Sequence, residues 1–407
     1  MKVGFIGMGK LGLPVALAVE SKGHDVVGYD ISDNVRDILS VRKLPYREIW
    51  AQEHLAKSNI RYVDVEAVVR HSEIIFVPIQ TPHDPQYEGV TRIPEKRVDF
   101  DYSWLKAGME TLAAEIERQG RDIVVIVIST VLPGTIRREI KPLLGKHTKL
   151  CYNPFFIAMG TTMRDFLHPE FVLFGVEDEK ASAIAKKFYR TLHHAPFFAT
   201  SVESAELIKV TYNTFISTKI TFVNIVMEMC HKLPGANVDD VTNALKMGTK
   251  RIISDSYFSG GMGDGGGCHP RDNIALSWLA RELDLSDDWF GSLMIAREKQ
   301  TEWLAGLMEE YDLPKVILGK AFKPETNLTV GSPSILLRNI LIEKGYDVRM
   351  YDPYVDSEVP VFRPSVFLIG TKHPDFIEFG FPEGSVIIDP WRYIPDKQGV
   401  KVIRVGE

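Results

Sequence analysis

Short apolar runs and longer stretches of helical spacing take turns along the first two hundred residues. Residues 2–6 read as a buried strand, 24–29, 73–78 and 122–128 as further strands, and 171–175 and 196–200 as later ones. A helical pattern follows the first strand as far as Ser21. Strands separated by helices predict a parallel, doubly wound sheet. The stretch 83–100 is long, polar and unpatterned, and is expected to be a loop near the site. The last third returns to the strand period at 315–319, 346–351, 366–370, 385–388 and 401–405, with a helix over 332–344. The fold class expected is α/β, two Rossmann-like doubly wound domains joined by a long helix and a small helical region.

Between the two blocks neither Pro nor Gly interrupts the chain until Pro234. Thr200 and Glu203 have the spacing of a capping box, so a helix of about thirty residues, ~45 Å long, is predicted up to Lys232. Val210, Ile216, Ile220, Phe222, Val223 and Ile225 make it apolar over much of its girth, which predicts a largely buried helix. Lys209, Asn213 and Asn224 share one stripe, and a buried lysine needs a partner. Asn237 is a good cap for a second helix.

Chemistry enters where the strands end. Gly7, Met8, Gly9, Lys10, Leu11 and Gly12 form a G-x-G-x-x-G turn between strand and helix. Gly7 makes the turn, Gly9 lets a pyrophosphate approach the helix N-terminus, and Gly12 permits close packing. Asp30, at the end of the next strand, can accept from a ribose 2′-hydroxyl and would repel a 2′-phosphate, which points to NAD. Thr81 and Thr130 stand at strand carboxyl ends, where ligands bind in such sheets, although a turn or cap accounts for either alone. Lys323 sits at the corresponding end of the first strand of the second block, either as a phosphate contact or as a surface cation.

Six glycines crowd into residues 260–267 and hand over to Cys268, with Pro270 opening a helix through Ala280. Such a run lets a ligand approach the main chain. The cysteine reads as a small buried residue, a metal ligand or a nucleophile. Cys151 and Cys230 lie far away without paired spacing, which disfavours metal. A thiol at a helix N-terminus suits a nucleophile, the preferred expectation.

Composition narrows the class. A net charge of −6 gives no support for a nucleic-acid partner, and no apolar run approaches bilayer length. Three cysteines in 407 residues and a start directly on a strand lead to the expectation of a cytoplasmic protein without a signal peptide.

In this order the glycine turn, Thr130, Lys209 with Asn213, the glycine run with Cys268 and Asp272, and Lys323 before Pro324 resemble the UDP-glucose/GDP-mannose 6-dehydrogenase family of nucleotide-sugar dehydrogenases. The resemblance implies an NAD-binding domain over 1–199, a central helical and dimerisation region over 200–311, and a nucleotide-sugar-binding domain over 312–407. It implies a homodimer through the long helix and oxidation of a sugar CH₂OH to a carboxylate with two NAD. Cys268 would trap the aldehyde as a thiohemiacetal that is oxidised to a thioester and hydrolysed. Lys209 would stabilise the oxyanion, Asn213 add a hydrogen bond, and Asp272 orient Lys209. Thr130 would serve both reaction and cofactor, and Arg271 the cofactor. Phe156, Ile157, Arg251, Tyr257, Gly265 and Lys323, with Lys209 and Asn213, would meet the substrate, a UDP-hexose first.

Departures are as informative. Phe155 and Met159 stand where members usually carry glutamates, the first of which is the usual base for hydrolysis. Asp264 replaces an aromatic residue beside the thiol, and Val330 and Gly331 replace an Arg-Glu pair. Asp264 could take over as base, the reaction could stop at the aldehyde, or the chain could bind without turnover. A simple NAD-dependent hydroxyacid dehydrogenase also combines a Rossmann domain with a long helix, but needs neither a thiol nor a second α/β domain.

Overall fold

The structure is a computed structural model that describes residues 1–82, 84–232, 234–249, 257, 259–282 and 288–407, without the side chains of Ile225 and Met229. It divides into two compact units, one of residues 1–82 and 100–211, the other of the stretch before Phe100 and residues 212–407. The division falls inside one helix, Val202–Lys232.

The first unit is built on eight strands: β1 (Lys2–Ile6), β2 (Asp25–Tyr29), β3 (Arg61–Tyr62), β4 (Ile74–Val77), β5 (Ile123–Val127), β6 (Thr148–Tyr152), β7 (Val172–Val176) and β8 (Phe197–Thr200). Their order is β3-β2-β1-β4-β5-β6-β7-β8, parallel throughout except for β6 against β7. Val3 pairs with Val26 on one side and with Ile74 on the other, so the order reverses at β1, where such sheets bind ligands. Every residue of β4 and β5 is buried, because helices cover both faces. The core gathers Phe76, Phe174, Phe188 and Tyr189, with Phe155 packed against it.

The second unit carries β9 (Lys315–Leu318), β10 (Val348–Tyr351), β11 (Val366–Ile369), β12 (Val386–Asp389) and β13 (Lys401–Arg404), all parallel in the order β10-β9-β11-β12-β13. Three of its helices frame the site, His269–Glu282, Trp289–Glu309 and Pro333–Glu343.

Three expectations are corrected, and two strands were not anticipated. Ser201, rather than Thr200, caps the long helix: its Oγ accepts from Ser204 N at 3.2 Å, while Glu203 pairs with Arg137. The helix is not buried all round, since Leu207, Phe215 and Phe222 are 43%, 52% and 49% exposed. The thiol helix opens at His269, one residue before Pro270, because Asp272 N bonds back to Cys268 O at 2.8 Å. The two-residue β3 and the mixed strand β6 carry too little apolar pattern to be read from the sequence.

Candidate active site

In the first unit the glycine turn has the shape that a dinucleotide needs. Gly7 takes φ +100°, reserved in practice for glycine. A Cβ on Gly12 would come within 2.2 Å of Gly7 O, so that glycine serves packing. A Cβ on Gly9 would meet nothing of the protein within 4 Å, which leaves open space at the helix N-terminus for a pyrophosphate. Met8 contributes its backbone: its N–H donates to Asp30 Oδ2 at 2.6 Å, while its side chain is buried against Gly28. Asp30 also accepts from Ser32 N at 2.8 Å, and each carboxylate oxygen keeps a second lone pair for a ribose hydroxyl. Lys10 is exposed and Leu11 packs on the core. These residues fit NAD.

At the ends of β4 and β5, Thr81 donates to Thr130 O at 2.8 Å, tying the two strand termini together. Beyond Thr130 the chain turns through Gly134 and Ile136, whose N–H groups donate to Glu206 at 2.5 and 2.7 Å. Glu206 is fully buried, and burial pushes its carboxyl up to about 7 against the pull of those two bonds. It stands one turn before Lys209, which is itself buried with its Nζ 5.5 Å from the centre of the Phe156 ring. Phe156 packs on Phe171, and Ile157 on the core. Phe155 lies against Phe166 with ring centres 5.3 Å apart, so this position is given to packing.

In the second unit Cys268 is half-buried and its carbonyl starts the helix His269–Glu282. Asp272, one turn on, is fully buried. Its Oδ2 accepts from Asn213 Nδ2 at 2.6 Å and its Oδ1 from the Arg271 guanidinium at 2.9 and 3.0 Å. One rung along the same pair of helices, Ser217 Oγ lies 2.8 Å from Asp264 Oδ2 and 3.1 Å from His269 Nδ1. Asn224 holds the start of the glycine run, accepting from Gly261 N at 3.1 Å. Gly265 is required by packing, since a Cβ would come within 2.5 Å of Phe322. Arg251 lies outside the described residues, and Tyr257 is exposed with φ +68°.

Arg297 is the residue that sequence reasoning missed. Almost wholly buried, it pairs with Asp264 Oδ1 at 2.7 Å and donates to the carbonyls of Gly89, Asp264 and Gly331. One guanidinium thereby pins three loops, including the stretch 84–99, which also accepts from Asn339 at Val90 O. Asp264 is thus engaged on both oxygens, by Arg297 and Ser217.

Lys323 is half-buried on the turn after β9. Glu325 N in that turn donates to His373 Nδ1 at 3.0 Å, and His373 Nε2 lies 3.2 Å from Asp352, at the end of β10. Burial works to raise the Asp352 carboxyl, but bonds from His373 and from the N–H groups of Ala321, Tyr354 and Lys320 outweigh it and hold it below the usual carboxylate range. Asp352 grips the turn after β9 as Asp30 grips the turn after β1. Among the described residues no group of side chains could hold a metal ion, and no helix is long and apolar enough to cross a membrane.

Comparison with known proteins agrees with this geometry. Residues 1–193 match the profile of the NAD binding domain of the UDP-glucose/GDP-mannose dehydrogenase family, 203–295 that of its central domain and 316–366 that of its UDP binding domain. The chain is 29% identical to a GDP-mannose 6-dehydrogenase of Pseudomonas aeruginosa, over 97% of each chain. It is 27% identical to a UDP-glucose 6-dehydrogenase of Rickettsia conorii, over 99% of this chain and 98% of the other. The solved structure of a UDP-glucose dehydrogenase from Pyrobaculum islandicum superimposes with a TM-score of 0.86 at 25% identity, over 100% of this chain and 98% of that one.

Proposed function

Because the chain belongs to the UDP-glucose/GDP-mannose dehydrogenase family, and so to the NAD-dependent dehydrogenases of nucleotide sugars, we propose that it oxidises the CH₂OH of a UDP-hexose to the uronic acid through Cys268. The observation that carries the reading is the thiol at the start of a helix whose buried Asp272 is gripped by Asn213. NAD, when bound, accepts the hydrides of the two oxidations. Gly7, Gly9, Gly12 and Asp30 hold it, with Thr81, Thr130 and Arg271 beside it. Cys268 attacks the aldehyde, and a preorganised cation and amide from Lys209 and Asn213 stabilise the oxygen that becomes negative. Asp272 keeps Asn213 aimed and orients Lys209. Lys323, Arg251, Tyr257, Phe156, Ile157 and Gly265 contact the nucleotide sugar. Labour divides as 1–199 for NAD, 200–311 for the thiol and 312–407 for the nucleotide sugar, whose profile match is described as a UDP binding domain. All three cysteines are free, as suits a thiol kept reduced in the cytoplasm.

A panel of UDP- and GDP-sugars with NAD, followed by NADH release and product mass, tests the reading. Two NADH per uronic acid are expected with a UDP-hexose, and no uronic acid from the Cys268→Ser variant. Normal turnover by that variant would remove the nucleophile. The exposed Leu207, Phe215 and Phe222, spaced eight and seven residues apart on the long helix, favour a homodimer through this face. Light scattering should show a dimer that Phe222→Glu converts to monomer; an unchanged mass would place the interface elsewhere.

A further inference from the structure

Phe155, where the resemblance implies a carboxylate that activates water, packs against the core and offers none, and the ion pair with Arg297 holds Asp264 away from that task. We infer that His269 is the general base for hydrolysis of the Cys268 thioester, with Asp264 and Ser217 fixing which ring nitrogen carries the proton. The inference rests on the function proposed above and adds the residue that completes its last step.

The argument is one of donors and acceptors. The Asp264 carboxylate, 2.7 Å from the Arg297 guanidinium, can only accept. Ser217, 2.8 Å from its other oxygen, therefore gives Asp264 its single proton. What the serine oxygen then presents to His269 Nδ1, 3.1 Å away, is a lone pair, so Nδ1 carries the hydrogen and donates. In the neutral ring Nε2 is left as the acceptor. Among the described residues nothing bonds it, and the residue is half-buried, as Cys268 is. Asp264, Ser217 and His269 thus form a chain in which a buried carboxylate sets the tautomer through a hydroxyl.

The placement suits the reaction. His269 follows Cys268 directly, at the first position of the helix that the Cys268 carbonyl starts. Ser217 is one turn beyond Asn213, and His269 one turn before Asp272, so the Ser217–His269 and Asn213–Asp272 contacts are successive rungs between the same two helices. A water oxygen attacks the thioester carbon while Nε2 takes one of its protons. The C–O bond forms, the C–S bond breaks, and the electron pair leaves on the Cys268 sulfur. The acid gives its remaining proton to solvent and departs as a carboxylate, and the imidazolium returns the proton it took to the thiolate. The step is neutral in redox terms and needs no further reagent.

The test is His269→Asn, which keeps a side-chain donor near Ser217 and removes Nε2. In a rapid-mixing experiment with the nucleotide sugar that the wild type turns over, both NADH equivalents should appear as a burst. Steady-state turnover should then fall about 10²- to 10⁴-fold, the usual worth of a general base. Intact-mass analysis should show the acyl group on Cys268, and hydroxylamine should release it as the hydroxamate and restore turnover. Ser217→Ala, which leaves the imidazole but frees its tautomer, should slow the same step by less and carries the test should the first variant not fold, as judged by loss of NAD-induced thermal stabilisation. Wild-type steady-state rate without an adduct in His269→Asn, or in Ser217→Ala if that variant alone folds, would overturn the assignment. So would loss of the NADH burst with substrate binding intact, because the residue would then serve an earlier step. A wild-type protein that makes no NADH from any nucleotide sugar overturns the proposed function, and this assignment with it.

Discussion

Gly9 and Gly12 lie three residues apart in one turn and do different work. Gly12 is needed by the protein, whose Gly7 carbonyl leaves no room for a methyl group; Gly9 is needed only by whatever occupies the space in front of it. Gly12→Ala should therefore destabilise by about 1–3 kcal/mol, as overpacking does. Gly9→Ala should leave unfolding within about 0.5 kcal/mol of wild type and weaken NAD at least about tenfold, near 1.4 kcal/mol. Denaturant melts and NAD titration separate the two, and a Gly9→Ala variant with unchanged NAD affinity would empty the proposed cofactor cradle. Residues of this kind are legible in a sequence because spacing alone marks them. Arg297, Ser217, Glu206 and His373 are not. Each acts on groups 21 to 208 positions away, and nothing local distinguishes a buried arginine holding three carbonyls from one on a solvated helix face.

Elements were readable in proportion to their length and regularity. The long helix declares itself by thirty uninterrupted residues, yet the capping pattern points one position too early. Thr200 has the better local pattern, but it ends β8, where its backbone is committed to the sheet, so the helix can begin only after it. Ser201 inherits the cap. Ser201→Ala should cost about 1 kcal/mol, the usual price of a lost N-cap, and Thr200→Ala should cost clearly less. Equal losses in paired unfolding curves would return the cap to Thr200. The stretch 84–99 failed in a different way. Its loop character was legible, but the residues that organise it belong to Trp289–Glu309 and Pro333–Glu343, through Arg297, Glu298 and Asn339. A loop ordered from outside leaves no period of its own.

On the scale of the molecule, the two α/β blocks followed from strand periodicity, while the response of stability to pH emerges only from burial. Glu206 and His193 both belong to the first unit and pull in opposite directions. Burial raises Glu206 from its ordinary 4.5 to about 7, so its contribution is complete below pH 4.5 and is lost as pH rises through 7. Burial, aided by Arg190 and neighbouring histidines, lowers His193 from 6.5 to about 4, so its contribution is complete above pH 6.5 and is lost as pH falls through 4. Between pH 4.5 and 6.5 the folded chain holds the Glu206 proton that the unfolded chain has released, and lacks the His193 proton that the unfolded chain has bound. The two slopes oppose each other across that window. Glu206→Gln removes one of them. Relative to wild type, the variant should gain stability with rising pH from 4.5 to 6.5, by at most about 1.4 kcal/mol per pH unit, the limit for one proton. All other titrating groups cancel in the difference, so urea unfolding of both proteins at three pH values suffices. Parallel curves would mean that the Glu206 carboxyl titrates alike in the folded and unfolded chain. The clamp on Gly134 and Ile136 would then be held by a carboxylate that burial does not perturb.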